Sequence, residues 1–383
     1  MTEHLSSYDS INYFHDFQSP FLKMNVNLFA KQSFLFIQSV AKRIAEYGLL
    51  ACIEIQPACK KKPHFDKIRK IVVPLFSGIG DAVILTTCLQ QLDRLFPDAE
   101  ITVVETKRTQ GILHDTFPKM RFISISSLTD LKKYKREFDL MLSPSRNIDH
   151  YRAALILKPT YLVGYNYSLR IRKRESHIHR SNRLLHQLGH KGSNVPVLKL
   201  SKQSIEHGNE LIQSRIGNDS IRKIALVVGG RWPSKIYPAD YYKELISVVL
   251  KKSKDVIFLL IGSSVANGEE VGGENPKVVN FSGSISLQET MGIIYRSDLV
   301  IAPDGGLLNI AIALNKPIIG LFGAVDPNTI VPEKYLNDVL FINNCPFQPC
   351  YNEEHEPLCK MERPFCIEIP AATLIKKVEK LLK

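Results

Sequence analysis

Short apolar runs alternate with longer amphipathic stretches from residue 69 to about residue 345. The run KIVVPLF (70–76) is rich in β-branched residues, which is typical of a strand buried on both faces of a parallel sheet. Strands that alternate with helices of crossover length predict an α/β fold with parallel sheets. The other predicted strands are EITVVE (100–105), FDLMLS (138–143), TYLVGY (160–165), KIALVVGG (223–230), DVIFLLIG (255–262), DLVIAPD (298–304) and PIIGLFG (317–323).

The alternation stops after residue 200 and restarts at Lys223, which predicts two doubly wound, Rossmann-like domains with a hinge near 200–222. We expect these domains at 69–205 and 206–345. Residues 346–383 then form a Cys-rich tail and a C-terminal helix. Residues 1–68 form an N-terminal helical extension and linker, in which apolar and basic residues share helical spacing. That helix either lies on an anionic bilayer or packs on the main body, and packing is the favoured interpretation.

The chain is strongly basic, with a formal net charge of +12 and an isoelectric point near 9.2. Such a balance favours an anionic partner, such as nucleic acid, an acidic membrane surface or a phosphorylated substrate. A basic surface that only aids solubility is the alternative. The sequence shows neither a secretory signal nor a run of about 18 apolar residues, so we expect a cytoplasmic location.

A glycine-rich turn, Ser77-Gly78-Ile79-Gly80-Asp81, follows the first predicted strand and opens a helix. Ligands of open α/β sheets bind at such strand ends, where glycine lets the backbone approach closely. Asp81 either caps the helix or acts as a general base at the mouth of a cleft. A dehydrogenase is a weaker alternative. The dinucleotide fingerprint needs a third small residue where this chain has Val83, although Glu105 stands where a ribose-binding acid would.

Two further turns follow strands of the second half. The segment GGRWPSKIYP (229–238) brings a glycine pair, two cations and the only tryptophan of the chain to one strand end. The cations of this segment would neutralise a pyrophosphate. The alternative is that the segment is a solvated loop with surface cations. The turn Asp304-Gly305-Gly306 opens another helix, whose N–H groups would hold phosphate. With the turns at 262–264 and 321–327, this convergence predicts that the second half binds a nucleotide.

At these residues the chain resembles glycosyltransferase family 9, the heptosyltransferases of lipopolysaccharide synthesis. The family pattern S-x-x-G-D-x-(apolar)-(apolar)-x-T-P is matched by SGIGDAVILTT (77–87), with Thr87 in place of the proline. The block DGGLLNIAIALNKPIIGLFGAVDP (304–327) matches a longer and more specific pattern. The resemblance covers roughly residues 69–345. It implies the GT-B fold, with two Rossmann-like domains facing a cleft.

The resemblance also implies an activity and a set of site residues. It implies inverting transfer of heptose from ADP-heptose to an inner-core acceptor of the Kdo–lipid A type, without a catalytic metal, on the inner face of the inner membrane. Asp81 would be the general base, Ser234 and Lys235 would contact the donor phosphates, and Asp304 would contact the donor sugar. The predicted donor site comprises Arg231, Ser234, Lys235, Asp304, Gly305, Gly306 and Asn309.

Two positions depart from the family pattern. Gly305 replaces the usual serine or threonine, and Asn309 replaces the usual histidine, which faces the donor pyrophosphate in the family. These changes leave three alternatives open. The chain is a heptosyltransferase, a transferase that uses another nucleotide sugar for a different glycan or protein acceptor, or an inactive binding or scaffold relative.

Basic residues also cluster in the first half, on the side expected to receive the acceptor. Such a cluster suits an anionic glycolipid. The alternative is a solvent-exposed helix face that binds no ligand. Nucleic acid is not expected, because no zinc-finger, RNA-recognition or helix-turn-helix signature accompanies the cations. The predicted acceptor site comprises Gly78, Gly80, Arg170, Arg172, Lys173 and Arg174.

Four cysteines, Cys345, Cys350, Cys359 and Cys366, fall within a short stretch near the C-terminus. Four thiolates suit a tetrahedral structural Zn or Fe site. The spacing is not that of C-x2-C pairs, so free thiols remain an alternative, and disulfides are a weaker one in the cytoplasm. His355 is a spare ligand candidate.

Overall fold

The computed structural model describes residues 64–144, 148–164, 176–190, 195–216, 221–351, 359, 361 and 363–382. All of them belong to one compact unit, Glu46–Lys383. The predicted amphipathic helix of the N-terminal extension lies outside the described residues, as do Arg170, Arg172, Lys173, Arg174 and His355. In the ranges given above, no helix is both long enough and apolar enough to cross a bilayer.

The first half contains a parallel sheet that, in the described residues, has five strands in the order β3-β2-β1-β4-β5. β3 was not among the predicted strands. It lies at the sheet edge and is only partly buried, so its sequence RFISI lacks the continuous apolar run of a central strand. The strands are β1 (Lys70–Leu75), β2 (Glu100–Thr106), β3 (Arg121–Ile125), β4 (Leu140–Ser143) and β5 (Tyr161–Gly164).

Helices α1 (Ile79–Leu95), α2 (Ile148–Leu157) and α3 (His177–Gln187) belong to this half, with a 3-10 helix at Leu128–Tyr134. α1 buries Leu85, Leu89 and Leu92, which share one face at helical spacing. It ends at Leu95, and its C-cap Phe96 stands immediately before a proline that cannot continue the helix. α3 packs against α1.

The second half contains a parallel sheet with strands in the order β11-β10-β9-β6-β7-β8 over the described ranges. Its four central strands are those predicted from apolar runs. The two edge strands, β8 and β11, have three residues each and are too short to give a pattern. The strands are β6 (Arg222–Val227), β7 (Val256–Ile261), β8 (Val278–Asn280), β9 (Leu299–Pro303), β10 (Ile318–Phe322) and β11 (Val339–Phe341).

Six α-helices surround the second sheet in the described residues: α4 (Lys202–Ile216), α5 (Ala239–Lys252), α6 (Val265–Gly272), α7 (Leu287–Arg296), α8 (Gly306–Ala313) and α9 (Ala371–Leu382). The C-terminal α9 packs on α5 and buries Leu374 and Val378 in the same core. An ion pair of 2.5 Å between Lys252 and Glu379 joins the two helices at their exposed faces. The predicted C-terminal helix is therefore an integral layer of the second half.

The segment after residue 200 contacts both halves. Asp115, in the first half, accepts hydrogen bonds from Ser201 N (2.9 Å) and Ser204 Oγ (2.7 Å) at the start of α4. α4 itself packs on α7, where Gly208 meets Gly292 so closely that a Cβ on Gly208 would lie 2.6 Å from the Gly292 carbonyl carbon. The hinge near 200–222 and the domain boundaries stay predictions.

Candidate functional site

The glycine turns of the two halves meet. The N-terminus of α1 contacts the N-terminus of α8, and glycine makes the approach possible on both sides. A Cβ on Gly306 would lie 2.8 Å from Ile79 Cβ, and a Cβ on Gly80 would lie 2.8 Å from Asn309 Nδ2. Since both helices begin at the carboxyl ends of their strands, the contact joins the two ligand-binding edges expected for such sheets.

Asp81 is exposed at the first-half side of this junction, with 52% of its side chain accessible. Its Oδ2 accepts a hydrogen bond from Gly78 N at 3.0 Å, so one oxygen caps α1. Its Oδ1 lies 3.8 Å from Nδ1 of His177. The two interpretations of Asp81, cap and exposed carboxylate, are therefore compatible, because different oxygens serve them.

His177 is a neighbour of Asp81 that the sequence analysis missed. It is the first residue of α3, where the Ser176 hydroxyl accepts a hydrogen bond from Ile178 N at 3.3 Å and fixes the start of the helix. Nothing in the local sequence distinguishes His177 from the other basic residues around it. Only the packing of α3 on α1 brings its ring to the carboxylate.

His150, near the start of α2, is a second histidine close to this turn. It is fully buried and packs edge-on against Phe76, with ring centroids 5.0 Å apart. Neither ring nitrogen has a hydrogen-bond partner among the described residues. Burial lowers the pKa of His150 to about 3, and the negative charge of Asp81 opposes this shift only in part. The ring is therefore neutral at physiological pH.

On the second-half side, Lys235 and Asp304 form a close ion pair. Lys235 Nζ lies 2.6 Å from Asp304 Oδ2, and the two side chains are 19% and 4% exposed. The 3-10 helix Pro233–Lys235 after β6 carries the cation, and the end of β9 carries the carboxylate. The sequence placed both residues at strand ends, and the parallel pairing of β6 with β9 brings those ends together.

Two aromatic rings flank the Lys235 ammonium. Its Nζ lies 4.6 Å from the ring centroid of Trp232 and 5.3 Å from that of Tyr351. The two rings also contact each other, at a centroid distance of 5.3 Å. Tyr351 was missed by the sequence analysis because it is far from Lys235 along the chain and carries no motif.

The remaining predicted donor residues differ in their surroundings. Arg231 is exposed, and Gly305 has an extended backbone with its nearest atom 3.9 Å from where a Cβ would be. Asn309 is buried, and its Nδ2 donates to Gly305 O at 3.1 Å. The structure therefore turns the Asn309 amide toward its own helix and Gly80.

Glu105, on which the dehydrogenase alternative rested, is buried at the end of β2. Its carboxylate accepts hydrogen bonds from Ser124 Oγ at 2.8 Å and from Gly111 N at 3.3 Å, and lies 3.1 Å from His114 Nε2. These contacts use the carboxylate within the first half. They leave no exposed acid at this position for a ribose.

The four C-terminal cysteines line one pocket, together with Ser234 and Ala324 from the loops after β6 and β10. In the described residues, none of the four forms a disulfide. Burial and, to a smaller extent, the neighbouring Cys350, Cys345 and Cys359 together raise the pKa of Cys366 to about 11. In the described part of the chain, no three His, Cys, Asp or Glu side chains are arranged to hold a metal ion.

Comparison of the sequence with known proteins identifies relatives of this chain. The sequence model of glycosyltransferase family 9 (heptosyltransferase) matches residues 151–360. Lipopolysaccharide heptosyltransferase 1 of Campylobacter coli is 23% identical over 295 residues, which are 67% of this chain and 84% of that protein. Lipooligosaccharide heptosyltransferase 2 of Haemophilus influenzae is 29% identical over 105 residues; that match spans 26% of this chain and 30% of the relative.

Solved structures share the fold over 82% of this chain. A family 9 glycosyltransferase from Veillonella parvula superposes with a TM-score of 0.68, at 17% identity and over 97% of its length. The ADP-heptose lipopolysaccharide heptosyltransferase II of Escherichia coli gives 0.64, at 18% identity and over 98% of its length. The iron-containing dodecameric glycosyltransferase TibC from enterotoxigenic E. coli gives 0.54, at 13% identity and over 76%. The predicted α/β class with two parallel sheets in a GT-B arrangement is confirmed.

Proposed function

The chain belongs to glycosyltransferase family 9, the heptosyltransferases, and we propose that it transfers a heptose from ADP-heptose to a lipopolysaccharide inner-core acceptor of the Kdo–lipid A type. The observation that carries this proposal is the junction of the two glycine turns. It sets the exposed carboxylate of Asp81 at one ligand-binding edge and the Lys235–Asp304 pair at the other. A base for the acceptor and a cation for the donor phosphates thus occupy opposite sides of one junction.

In the proposed reaction, Asp81 takes the proton from an acceptor hydroxyl as its oxygen attacks the anomeric carbon of the donor. The bond from that carbon to the diphosphate breaks on the opposite face, so the configuration inverts and ADP leaves. The hydrogen bond from Gly78 N holds Oδ2 of Asp81, while Oδ1 is beside His177. Buried His150 stays uncharged and so adds no competing positive charge near the base.

The second requirement of the proposed reaction is to neutralise the negative charge on the departing diphosphate. Lys235 and Arg231 supply cations, the Ser234 hydroxyl supplies a donor, and the N-terminus of α8 at Gly306 presents backbone N–H groups. Asp304 holds Lys235 in place and offers acceptor oxygens to the hydroxyls of the sugar. Donors arranged before the reaction stabilise the leaving group without reorganisation.

For the acceptor we propose an anionic glycolipid bound beside Gly78 and Gly80, with Arg170, Arg172, Lys173 and Arg174 as its phosphate-binding residues. The net charge of +12 supports an anionic partner. Such an acceptor would place the enzyme on the inner face of the inner membrane. The relatives named for lipopolysaccharide and lipooligosaccharide heptose transfer support this substrate class.

A ligand panel followed by a transfer assay tests the proposal. Thermal shift with ADP-, UDP- and GDP-sugars should show the largest stabilisation with ADP-heptose, because a ligand that binds only the folded state raises its stability. Incubation of ADP-heptose with Kdo–lipid A should then release ADP and add one heptose, measured by mass spectrometry. Stabilisation by a UDP- or GDP-sugar instead would overturn the donor assignment and favour the alternative of another nucleotide sugar.

One observation favours a second candidate, a binding relative without turnover. The Asn309 amide is engaged with Gly305 and packed on Gly80, where the family has a histidine that faces the pyrophosphate. This candidate predicts nucleotide-sugar binding without transfer or hydrolysis. Binding of ADP-heptose with no ADP release over hours, with any inner-core acceptor, would favour it over the enzyme.

We further propose that Cys345, Cys350, Cys359 and Cys366 hold a structural Zn or Fe ion. Four thiols line one pocket, although in the described residues they are not arranged to hold an ion, so the side chains would have to converge on binding it. When bound, the ion would supply a crosslink that fixes the tail.

Elemental analysis should measure iron as well as zinc, because TibC is an iron-containing glycosyltransferase with a similar fold. Elemental analysis of freshly reduced protein should give one ion per chain, lost in Cys366→Ser; absence of stoichiometric metal overturns it.

A further inference from the structure

We infer that Tyr351 is a positioning residue of the donor site, which acts by holding the Lys235 ammonium between its own ring and that of Trp232. The inference rests on the proposed function, because it assigns Lys235 to the diphosphate of the donor. It adds a residue from the Cys-rich tail to a site otherwise built from the turns after β6 and β9.

The contacts around Lys235 define a three-sided site for the cation. Trp232 is 4.6 Å from Nζ on one side and Tyr351 is 5.3 Å away on another, both measured to ring centroids. Asp304 Oδ2, at 2.6 Å, forms the third side. An ammonium has three donors, and among the described residues Lys235 has one carboxylate partner, so donors remain for phosphate oxygens.

The rings contribute in two ways. The face of an aromatic ring attracts a cation within about 6 Å of its centroid, and the attraction grows as the site loses water. The rings also confine a four-carbon side chain whose free rotation would otherwise be lost only when the ligand binds. Lys235 is therefore already ordered when the donor arrives, so binding has less entropy to overcome.

The backbone places Tyr351 independently of Lys235. Tyr351 N and Cys350 N each donate to Ala324 O at 3.0 Å, and Gln348 Nε2 donates to Gly323 O at 2.8 Å. These bonds fasten the start of the tail to the turn after β10, beside the cysteine pocket. The tail therefore contributes a ring to the donor site, which gives the Cys-rich segment a role in binding as well as in folding.

Calorimetric titration with ADP and with inorganic pyrophosphate tests the inference. Tyr351→Leu removes the ring face and should weaken both ligands about three- to tenfold. Tyr351→Phe keeps the face and should restore affinity to within about twofold of the wild type. The matched control is Tyr295→Leu, since the Tyr295 ring also contacts a lysine, Lys316 at 5.7 Å, but on α7. Equal losses in Tyr351→Phe and Tyr351→Leu would overturn the role of the ring.

A double-mutant cycle separates positioning from a general structural effect. If Tyr351 acts through Lys235, then Tyr351→Leu should cause no further loss of pyrophosphate affinity in a Lys235→Ala background. An equal loss in both backgrounds contradicts the inference. If the wild type binds neither ligand, the proposed function fails, and the ligand-free protein still tests the contact.

Fluorescence provides that independent test, because Trp232 is the only tryptophan of the chain. Tyr351→Leu should shift its emission to the red by exposing the indole, and Tyr351→Phe should leave the emission unchanged. Circular dichroism confirms that both variants are folded. Unchanged emission in folded Tyr351→Leu would mean that the two rings do not pack together, which overturns the inference whatever the ligand.

Discussion

Each half has an aspartate beside the glycine turn that opens a helix, yet the two carboxylates have opposite surroundings. Asp81 and Asp304 each follow a central strand and accompany a glycine turn that opens a helix. Asp81 is half exposed and is held by a backbone N–H group and a nearby histidine. Asp304 is almost fully buried and is bound to Lys235. One local pattern therefore gives a carboxylate that can accept a proton and another that anchors a cation.

The difference teaches that the partners of each carboxylate decide its chemistry. In the first half the buried group beside the turn is a neutral imidazole, His150, which adds no positive charge next to Asp81. In the second half the buried groups are two opposite charges, which hold each other. The four predictions that follow test this contrast, from the largest expected effect to the smallest.

Asp81→Asn should lower turnover by about 100- to 10,000-fold, since general-base catalysis contributes a factor of that size. Affinity for ADP should stay within about twofold, because the donor is assigned to the other half. Steady-state ADP release and calorimetry measure the two quantities. The exposed Asp93→Asn, on the same helix, is the matched control. Turnover within a few-fold of the wild type would show that Asp81 is only a helix cap.

Lys235→Met should destabilise the fold by about 3 kcal/mol, because it leaves the buried Asp304 carboxylate without its cation. Replacing both residues, in Lys235→Met with Asp304→Leu, should recover most of that loss. Urea denaturation measures each free energy of unfolding. Lys243→Met, which breaks an exposed pair with Asp240, should cost less than about 1 kcal/mol. If both substitutions lowered the free energy of unfolding equally, the buried and exposed carboxylates would not differ in their dependence on a lysine.

Acid should destabilise the wild type partly through His150. Its pKa falls from 6.5 to about 3 on folding, so below pH 6.5 the unfolded chain binds a proton that the folded chain excludes. The stability present above pH 6.5 is therefore lost as the pH falls, by about 2 kcal/mol at pH 5. His150→Leu should flatten the decline of the melting temperature between pH 7 and pH 5.

His207→Leu is the control of opposite sign for this acid effect. Its side-chain hydrogen bond with Glu289 raises the pKa of His207, so the contact stabilises the fold at low pH and is lost as the pH rises. Removing it should steepen the decline toward acid. If His150→Leu has the same acid profile as the wild type, then the ring is not buried in the neutral form.

Gly305→Ser should change the free energy of unfolding by less than about 0.5 kcal/mol. The backbone there is extended, and a Cβ would meet its nearest atom at 3.9 Å, so the family's usual side chain fits. Asn309→His should cost about 1–3 kcal/mol instead, because the larger ring meets Gly80. Thermal melts compare the two. Equal melting temperatures for the two variants would contradict the close packing of α1 on α8.

The central architecture could be predicted from the chain because buried parallel strands leave continuous apolar runs, and the crossover helices leave a different period. β3, β8 and β11 could not be predicted in this way. All three lie at sheet edges, and β8 and β11 have only three residues each. Their burial therefore depends on neighbouring elements rather than on a sequence pattern of their own. The glycosyltransferase identity could be predicted as well, since long motifs carried it.

The places of the candidate site residues in the fold could be predicted as far as strand ends allow. Asp81, Lys235 and Asp304 were placed at such ends from the sequence, and the parallel pairing of β6 with β9 then brings the last two together. His177 and Tyr351 were missed because they reach the site only through the packing of α3 on α1 and of the tail on the turn after β10. The Asn309 amide could not be oriented either, as its contact with Gly80 lies across the junction.

The sequence by itself determined the two parallel α/β sheets, the glycine turns and the family, because periodicity and local motifs are properties of neighbouring residues. The tertiary structure alone decided which carboxylate stays exposed, which one is buried against a cation, and which distant rings surround that cation. These outcomes depend on desolvation and on contacts between residues remote in the chain, so no local pattern records them.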